Sequence, residues 1–557
     1  MANEFEVLFR AATPPEDPRI KWRGFAPGRT LLRAGSVHSD GGRPLSCDIE
    51  LSRDVEMRLR DGTKIFLDVY RPVTGEAVPA ILAWSPYGKQ GGFQEYNLFP
   101  GRAGVARSAV SELQKFEGPD PAFWCANGYA VVNVDPRGAF MSEGDVQTFS
   151  PLEGQDGYDV VEWVAAQPWC ADAVTMSGNS WLSVVQWRIA ATRPPHLAAI
   201  APWEGFIDLY RDCVLVGGIP RFFLMETIAE MNAGRGRVEN VPAMVRKFPC
   251  MNDYWRSKII DVEAIDVPAY VVASWTNAIH TQGTLNAFAR LDRSKSWLRV
   301  HNTMEWPDLY EYETDLLKFF DHVIKRKSNG WERTPRVRIA VLDPGGDDQV
   351  NRAEKEYPLT RTKETPLYLD APNKALSTSP KSEEGSLGYD ANLDQVIFEY
   401  TFDRDVELIG PMKLCLWLEC DAWDADVFVY VRKADAKGNP LLATIPPGLP
   451  WHGAHGRLRA THRELDLKLS KPLAPVHTHA NPQSVQPGIP VQLDISIWPM
   501  AMAWHPGEKL QLVICGRAQG AVHPADTINI NVGHHRIRTG GQFGSHLLVP
   551  VTTSNGI

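Results

Sequence analysis

A serine in the first third of the chain lies in a setting that is typical of a catalytic nucleophile. Ser180 ends the tripeptide Gly178-Asn179-Ser180, which follows an apolar strand predicted at 174–176 and precedes a helix predicted at 184–191. A strand, a sharp turn and a helix form a nucleophile elbow, in which the turn lifts the serine hydroxyl above the sheet. We therefore expect Ser180 to attack a carbonyl carbon, with the backbone N–H of Trp181 donating to the oxyanion.

The elbow departs from the usual pattern at one position. Leu182 stands where a second glycine usually follows the nucleophile, and Ser183 comes next. Because Gly-x-Ser alone is common in turns of many kinds, the prediction depends on support from the rest of the chain.

Two later loops carry groups that could activate Ser180. A serine needs a neighbour that accepts its proton, and that neighbour needs a partner that fixes its orientation. One loop contains Asn277 and His280, and the other contains His301 and Glu305. Each loop follows a predicted strand of a parallel sheet, and ligands bind at the carboxyl edge of such sheets. Both loops are therefore candidates for the catalytic base.

The elements that must position these residues alternate between strand and helix over the first 330 residues. This rhythm indicates a mostly parallel sheet, preceded by an extended arm at 1–45 and a hairpin with a turn at 61–62. The predicted strands lie at 80–84, 129–134, 174–176, 197–202, 269–275 and 297–300, and the predicted helices at 122–126, 155–167, 184–191 and 309–325. We assign the catalytic domain to 46–202 and 263–330.

Two further regions break this rhythm. Residues 203–262 contain helical segments at 222–231 and 241–248 between glycines and prolines, which indicates an inserted helical cap. From about 335 onward the helices give way to short strands with turn residues between them. This pattern predicts an all-β jelly roll of the galactose-binding-like type at 335–557.

Composition excludes several classes of function. The chain has 557 residues with a formal net charge of −9 and no basic run, so we expect neither a nucleic acid nor an anionic membrane as partner. The eight cysteines are scattered and form no CxxC pair, and residues 1–12 contain no apolar core of a secretion signal. We expect a cytoplasmic protein with reduced thiols that acts on a small molecule, and a homodimer is left open.

Several motifs together resemble the cocaine esterase and X-Pro dipeptidyl-peptidase family, the CocE/NonD hydrolases. The resemblance covers about 45–557 and rests on RDGT at 60–63, SPYGK at 85–89, GYAVV at 128–132, DPRG at 135–138 with SEG at 142–144, EW at 162–163 with QPWC at 167–170, and the elbow. It implies an α/β-hydrolase core with an inserted helical cap, followed by the jelly roll. It also implies a serine hydrolase in which Tyr87 supplies an oxyanion-hole hydroxyl.

The residues that activate the nucleophile differ from the family pattern. Asn277 occupies the position of the family's catalytic aspartate, and Glu305 occupies that of its histidine. The ordinary triad therefore cannot be carried over, and four arrangements remain open. His280 could be the base with Glu305 orienting it, or His301 could be the base with Glu305 or Asp308 behind it.

The other two arrangements use no histidine as base. Glu305 could itself accept the proton, which would require burial to raise its pKa toward neutrality. Alternatively, Ser180 is not acylated and the site acts by other chemistry. We favour His280 with Glu305.

Neither a metal nor a cofactor is expected. His280, His301 and Glu305 would be legitimate zinc ligands, but no HxxH or HExxH spacing supports a metal site.

The substrate pocket is expected to be apolar. Trp181, Trp203 and Phe206 should frame a pocket for an apolar or aromatic acyl group.

The sequence as a whole predicts a serine hydrolase that cleaves an ester or an amide through an acyl-enzyme. The alternative is a diverged member of the family that binds a small ligand, or that acts as an acyl transferase or lyase.

Overall fold

The computed structural model describes residues 5–90, 100–303, 305–445, 449–519 and 530–552. The strands in the first part of the chain are β1 (Phe9–Ala11), β2 (Gly28–Leu32), β3 (Ile49–Arg58), β4 (Lys64–Pro72), β5 (Val78–Trp84), β6 (Ala130–Asp135), β7 (Cys170–Asn179), β8 (Leu197–Trp203), β9 (Arg237–Glu239), β10 (Ala269–Ser274), β11 (Ser296–His301), β12 (Val337–Val341) and β13 (Gln349–Glu354).

The helices all lie before residue 330 in the part of the chain that the structure describes, apart from short 3-10 turns. They are α1 (Pro121–Ala126), α2 (Pro151–Ala165), α3 (Trp181–Ala190), α4 (Phe223–Met231), α5 (Val241–Lys247), α6 (Asp253–Ser257), α7 (Thr281–Phe288), α8 (Glu305–Glu311) and α9 (Glu313–Val323). A π-helical turn covers Leu209–Val214. The single helix predicted at 309–325 is two helices, because Tyr312 leaves the helical conformation (φ −102°, ψ 13°).

A large mixed sheet forms the first unit. Among the described residues it has eleven strands, in the order β13-β12-β11-β10-β8-β7-β5-β6-β4-β3-β2. The strands from β12 to β6 pair in parallel, and the pairs beyond them at both edges are antiparallel. Strands β6 and β10 are buried along their whole length, as expected for a parallel sheet covered on both faces.

The order in which the chain adds strands to this sheet reverses at β5. From β5 it passes to β6 on one side, and it returns through α2 to β7 on the other side. Crevices at such switch points, at the carboxyl ends of the strands, are where ligands bind in open α/β sheets. Tyr87 follows β5 and Ser180 follows β7, so both lie at this edge.

The predicted arm and the predicted insertion are connected by a small two-stranded sheet. β1 of the arm pairs antiparallel with β9, which lies between α4 and α5. β2 then joins the large sheet at its edge beside β3. The arm is therefore attached to the rest of the molecule at two separate places.

The second unit is an all-β barrel. Its strands are β14 (Lys363–Asp370), β15 (Ala375–Ser377), β16 (Gly385–Asp390), β17 (Gln395–Thr401), β18 (Val406–Cys420), β19 (Asp426–Ala434), β20 (Pro440–Leu441), β21 (Thr444–Ile445), β22 (Leu449–Pro450), β23 (Ala454–Arg459), β24 (Val491–Trp504), β25 (Lys509–Cys515), β26 (His534–Thr539) and β27 (His546–Val551). The sheet closes on itself because β27 pairs with both β14 and β18.

The large sheet extends further along the chain than the sequence indicated. β12 pairs in parallel with β11, and β13 pairs with β12, so this sheet runs to Glu354, past the predicted start of the β domain at 335. Pairing of this kind has no local signature in the sequence. In the described residues no helix combines the length and the apolar character that a membrane span needs.

Candidate active site

The turn that carries Ser180 is a strained nucleophile elbow. Ser180 has φ 54° and ψ −114°, a conformation that costs free energy in a residue with a side chain. Its backbone N–H points to the carbonyl oxygens of Trp203 and Glu204, at 3.2 and 3.0 Å. The residue is half-buried, and α3 begins directly after it. The predicted strand, turn and helix are all present, and the turn presents the hydroxyl at the carboxyl edge of the sheet.

His280 lies next to this serine. Its Nε2 is 3.5 Å from Ser180 Oγ, and its ring stacks on that of Phe206 at a centroid distance of 6.2 Å. The imidazole is buried, and the residue stands at the start of α7. Of the two histidines considered from sequence, His280 is the one whose ring reaches the nucleophile.

Asn277 fixes the turn that carries His280. Its Oδ1 accepts the backbone N–H groups of Ile279 and His280, at 2.9 and 3.1 Å. Its Nδ2 donates to Glu204 Oε2 at 2.7 Å and lies 3.2 Å from His280 Nδ1. A flipped amide would place its NH₂ group against two N–H donors, so these contacts determine its orientation. Asn277 therefore presents a donor, and not an acceptor, to the imidazole ring of His280.

Glu204 is a functional candidate that the sequence analysis did not include among the site residues. It directly follows β8, is fully buried, and has φ 52°. Its carboxyl group contacts Asn277 with Oε2, while Oε1 lies 2.7 Å from His301 Nε2. The available signal in the sequence was its position at the carboxyl end of a strand of the parallel sheet.

His301 lies behind the site, among buried charged groups. Its Nε2 is 2.7 Å from Glu204 Oε1 and 3.5 Å from Asp308 Oδ2. The backbone N–H of Thr303 donates to its Nδ1 at 3.1 Å, so the neutral ring carries its proton on Nε2. Burial, reinforced by nearby Arg299, lowers the pKa of His301 to about 4, although Asp308 acts in the opposite direction. His301 is therefore neutral at physiological pH and faces the buried carboxyl groups.

Asp308 is occupied by structural contacts. Arg299 binds it through both guanidinium nitrogens, and the indole N–H of Trp203 donates to it at 2.9 Å. Trp203 is fully buried, with its ring against Tyr270, so the structure places this predicted pocket residue in the interior of the sheet.

The side chain of Glu305 lies outside the described residues, but the start of its helix is well anchored. Trp306 Nε1 donates to Glu117 Oε1 at 2.8 Å. The backbone carbonyl of Glu117 in turn accepts the N–H of Asn179 in the elbow, at 3.1 Å. One residue thus connects the beginning of α8 with the turn that carries Ser180.

The two residues predicted to supply the oxyanion donors are in contact through their side-chain rings. The ring of Tyr87 meets that of Trp181 edge to face, with centroids 5.9 Å apart. The indole of Trp181 points into the core, where its N–H and that of Trp84 both donate to Glu153 Oε1 at 3.0 Å. Burial raises the pKa of Glu153 to about 7. The side chain of Trp181 is therefore a support for the elbow, while its backbone N–H begins α3.

A group of three metal-type ligands occurs in the described residues, with one member just after the end of β12. It consists of Asp343, His505 and Glu508. The buried ammonium of Lys433 lies 2.5 Å from Asp343 and 2.7 Å from Glu508. A cationic side chain already neutralises these carboxylates, so the group is an ion-pair network.

Comparison with known proteins gives the family. Residues 61–304 match the model of the X-Pro dipeptidyl-peptidase (S15 family), and residues 329–548 match that of the X-Pro dipeptidyl-peptidase C-terminal non-catalytic domain. The fold superposes on a crystal structure of a CocE/NonD family hydrolase from Staphylococcus aureus with a TM-score of 0.86, at 31% identity, over 94% of this chain and 97% of that chain. The chain belongs to the CocE/NonD family of hydrolases.

A sequence relative and a second similar fold are also found. The chain is 25% identical to the cocaine esterase of a Rhodococcus species over 408 residues, which is 61% of this chain and 67% of the esterase. The fold of an α-amino acid ester hydrolase matches 97% of this chain and all of that chain, with a TM-score of 0.68 at 16% identity. This CocE/NonD protein is thus a hydrolase of the serine esterase and S15 peptidase type, with a C-terminal all-β domain.

Proposed function

We propose that this chain cleaves a carboxylic ester or amide through an acyl-enzyme on Ser180. One observation carries the proposal: the hydroxyl of a serine in a strained elbow lies 3.5 Å from the imidazole Nε2 of His280. Contacts of this kind are often long without substrate and shorten in the reacting complex. We interpret the first unit as an α/β-hydrolase core with a cap inserted at 203–262, and the barrel as a jelly roll.

In the proposed reaction, Ser180 Oγ attacks the carbonyl carbon while His280 Nε2 accepts the hydroxyl proton. The backbone N–H of Trp181 and the hydroxyl of Tyr87 bind the oxyanion. His280 then donates the proton to the leaving alcohol or amine as the acyl-enzyme forms. Water, deprotonated by His280, attacks the acyl-enzyme. The bond between the acyl carbon and Ser180 Oγ then breaks, His280 returns the proton to Oγ, and the acid is released.

A base at His280 needs an acceptor for the proton on Nδ1. The amide of Asn277 offers that nitrogen a donor, so it cannot replace the aspartate of an ordinary triad. The base form of His280, with its proton on Nδ1, therefore requires this amide group to move away from the ring. We propose that the carboxylate of Glu305 is the acceptor. The anchoring of α8 to the elbow through Glu117 supports this assignment, since Glu305 is the residue before Trp306.

Glu204 acts in this proposal as a positioning residue. It holds the amide of Asn277, which in turn holds the backbone of His280. On the other side it contacts His301, which is neutral and buried. His301 therefore supports the site without taking the proton of Ser180.

The test is a fluorophosphonate, which forms a covalent adduct only with an activated serine. We expect one adduct, mapped by peptide mass analysis to Ser180. Hydrolysis of p-nitrophenyl esters should fall by about 10³-fold or more in Ser180→Ala and in His280→Ala. Ser183→Ala is the matched control, because Ser183 is buried three residues further along the same helix.

Absence of an adduct on folded protein would contradict the proposal and would favour the alternative of a binding protein or a different chemistry. Full activity in His280→Ala would contradict the role of His280. Full activity in both His280→Ala and His301→Ala would favour Glu305 as the base.

A further inference from the structure

A cavity of about 330 Å³ opens beside Tyr87, between three separate parts of the chain. Residues 19–23 of the N-terminal arm form one wall, the loop at 87–90 forms the second, and the end of α4 forms the third with Thr227, Glu230 and Met231. Phe140 and Asp135 complete the lining. The volume is at the lower end of the range for small-molecule sites, which suits a group of one or two rings.

The cavity has the position of a substrate site. It lies at the carboxyl ends of β5 and β6, where the chain reverses direction across the sheet. Tyr87 lines it and also contacts Trp181, the first residue of the helix that follows Ser180. A substrate whose carbonyl is bound by Tyr87 could therefore place another part of itself in this cavity.

The arm crosses the cavity as a strap that is fixed at both ends. On the cap side, the backbone N–H of Thr13 donates to Asn232 O at 3.2 Å, and its hydroxyl donates to Glu230 O at 2.8 Å. On the sheet side, the backbone N–H of Ala26 donates to Asp54 Oδ2 at 2.7 Å. Residues 14–25 bridge these two attachments, and 19–23 line the cavity from above.

More of the exposed wall is apolar than polar, although charged side chains, among them Arg19, Lys21 and Arg23 of the strap, also line the cavity. Trp22 of the strap lies against Phe140, with ring centroids 6.4 Å apart. A Cβ atom on Gly88 would come within 2.9 Å of the same Phe140 ring, so the ring lies directly against the Tyr87 loop. Ile20 and Met231 add aliphatic surface.

The buried charges in the floor are paired with one another. Lys89 Nζ is 2.6 Å from Asp54 and 3.1 Å from Asp135, and its ammonium group is almost fully buried. Asp68 lies 3.9 Å from the same ammonium, so these floor charges already have partners of opposite sign within the protein. The rings of Trp22 and Phe140 are the part of the wall on which an aromatic group can pack.

We propose that this cavity binds an aromatic ring of the substrate and that Trp22, on the strap, determines the preference for it. The N-terminal arm thus contributes to specificity, although it precedes the segment that matches the S15 family. The role in turnover depends on the proposed function, whereas binding of the ring does not.

Binding is measured on the full chain with Ser180→Ala, which removes turnover. Phenyl acetate and methyl benzoate are titrated by calorimetry, since they carry the ring on the alcohol side and on the acyl side. We expect at least one of them to bind, and Trp22→Ala in the same background to weaken that binding about tenfold. Phe25→Ala is the matched control, because Phe25 lies on the same arm but packs on Phe66 outside the cavity.

Turnover is measured with Ser180 intact. Trp22→Ala should lower kcat/KM about tenfold for the aromatic ester that binds, and less than twofold for ethyl acetate. Thermal unfolding of each variant excludes loss of fold as the cause. Equal binding of both aromatic esters by the Trp22→Ala and Phe25→Ala proteins would overturn the cavity proposal, as would failure of both esters to bind. If binding depends on Trp22 but the wild type hydrolyses no ester, the cavity proposal stands and the proposed function fails.

Discussion

Glu204 shows how a single residue can hold the active site without touching the nucleophile through its side chain. Its buried carboxyl group joins Asn277 to His301, which come from two different loops. The residue adopts φ 52°, and its carbonyl oxygen also lies 3.0 Å from the N–H of Ser180. A strained backbone and a buried carboxyl group cost stability, and such residues concentrate at functional sites.

Replacing Glu204 should lower the catalytic rate more than substrate binding. In Glu204→Ala the amide of Asn277 loses its partner and the turn of His280 loosens, so we expect kcat to fall about 10- to 100-fold with KM changed less than threefold. Glu204→Gln keeps an acceptor for Asn277 and should recover most of this loss. Steady-state kinetics on an aryl ester checks the prediction. Equal activity of Glu204→Ala and the wild type would show that Asn277 holds the turn alone.

At the scale of elements, the elbow is held by the segment that crosses beneath it. Gly178 has φ 137°, and a Cβ atom there would lie 2.8 Å from the carbonyl oxygen of Glu117 and 2.5 Å from Leu182. The same carbonyl of Glu117 accepts the N–H of Asn179. The close approach of β7, α3 and residue 117 therefore requires glycine at 178.

Gly178→Ala should destabilise the protein and inactivate it. Left-handed strain and the clash with backbone together should lower the free energy of unfolding by ~3 kcal/mol. Urea denaturation and fluorophosphonate labelling test the two effects. Gly75→Ala is the control, because a Cβ atom at this exposed glycine meets nothing within 4 Å. An unchanged denaturation midpoint in Gly178→Ala would mean that the elbow can shift to admit the methyl group.

At the scale of the whole molecule, buried histidines in the second, all-β unit contact residues of the predicted cap. His479 lies against Tyr210 with ring centroids 5.2 Å apart, and His462 Nδ1 is 3.0 Å from His479 Nδ1. The carbonyl oxygen of His477 accepts the Nε–H of Arg211 at 3.1 Å. The contact between the units therefore contains several imidazoles that must stay neutral.

Acid should weaken this contact through His477. Burial lowers its pKa in the folded protein to about 4, helped by Arg211 and His462 and opposed by Asp494. The pKa in the unfolded chain is about 6.5. The unfolded chain therefore binds the proton first, and stability falls as the pH drops from about 6.5 to about 4.

The measurement is the free energy of unfolding at pH 7 and pH 4.5. The loss on acidification should be smaller in His477→Gln than in the wild type by about 2 kcal/mol. His534→Gln, at an imidazole that is 64% exposed, should show the wild-type loss. Parallel pH profiles for the wild type and His477→Gln would contradict the prediction.

The sequence by itself determined the elements that depend on near neighbours. The elbow could be predicted because strand, turn and helix are contiguous around Ser180, and glycine at 178 marks the turn. The alternation of strands and helices predicted a mostly parallel sheet, because each buried strand forms a short apolar run. The family motifs added the expectation of a serine hydrolase.

Only the tertiary structure decided which side chains meet. Trp203 was expected in the pocket but lies in the interior. The sequence could not show this, because a strand buried on both faces has no alternation of apolar and polar residues from which the direction of each side chain can be read. Three features depend on strand order and register. They are the position of His280 beside Ser180, the contact of Glu204 with Asn277 73 positions away, and the extension of the large sheet to β13. Such contacts join residues far apart in the chain, and no local pattern of residues specifies them.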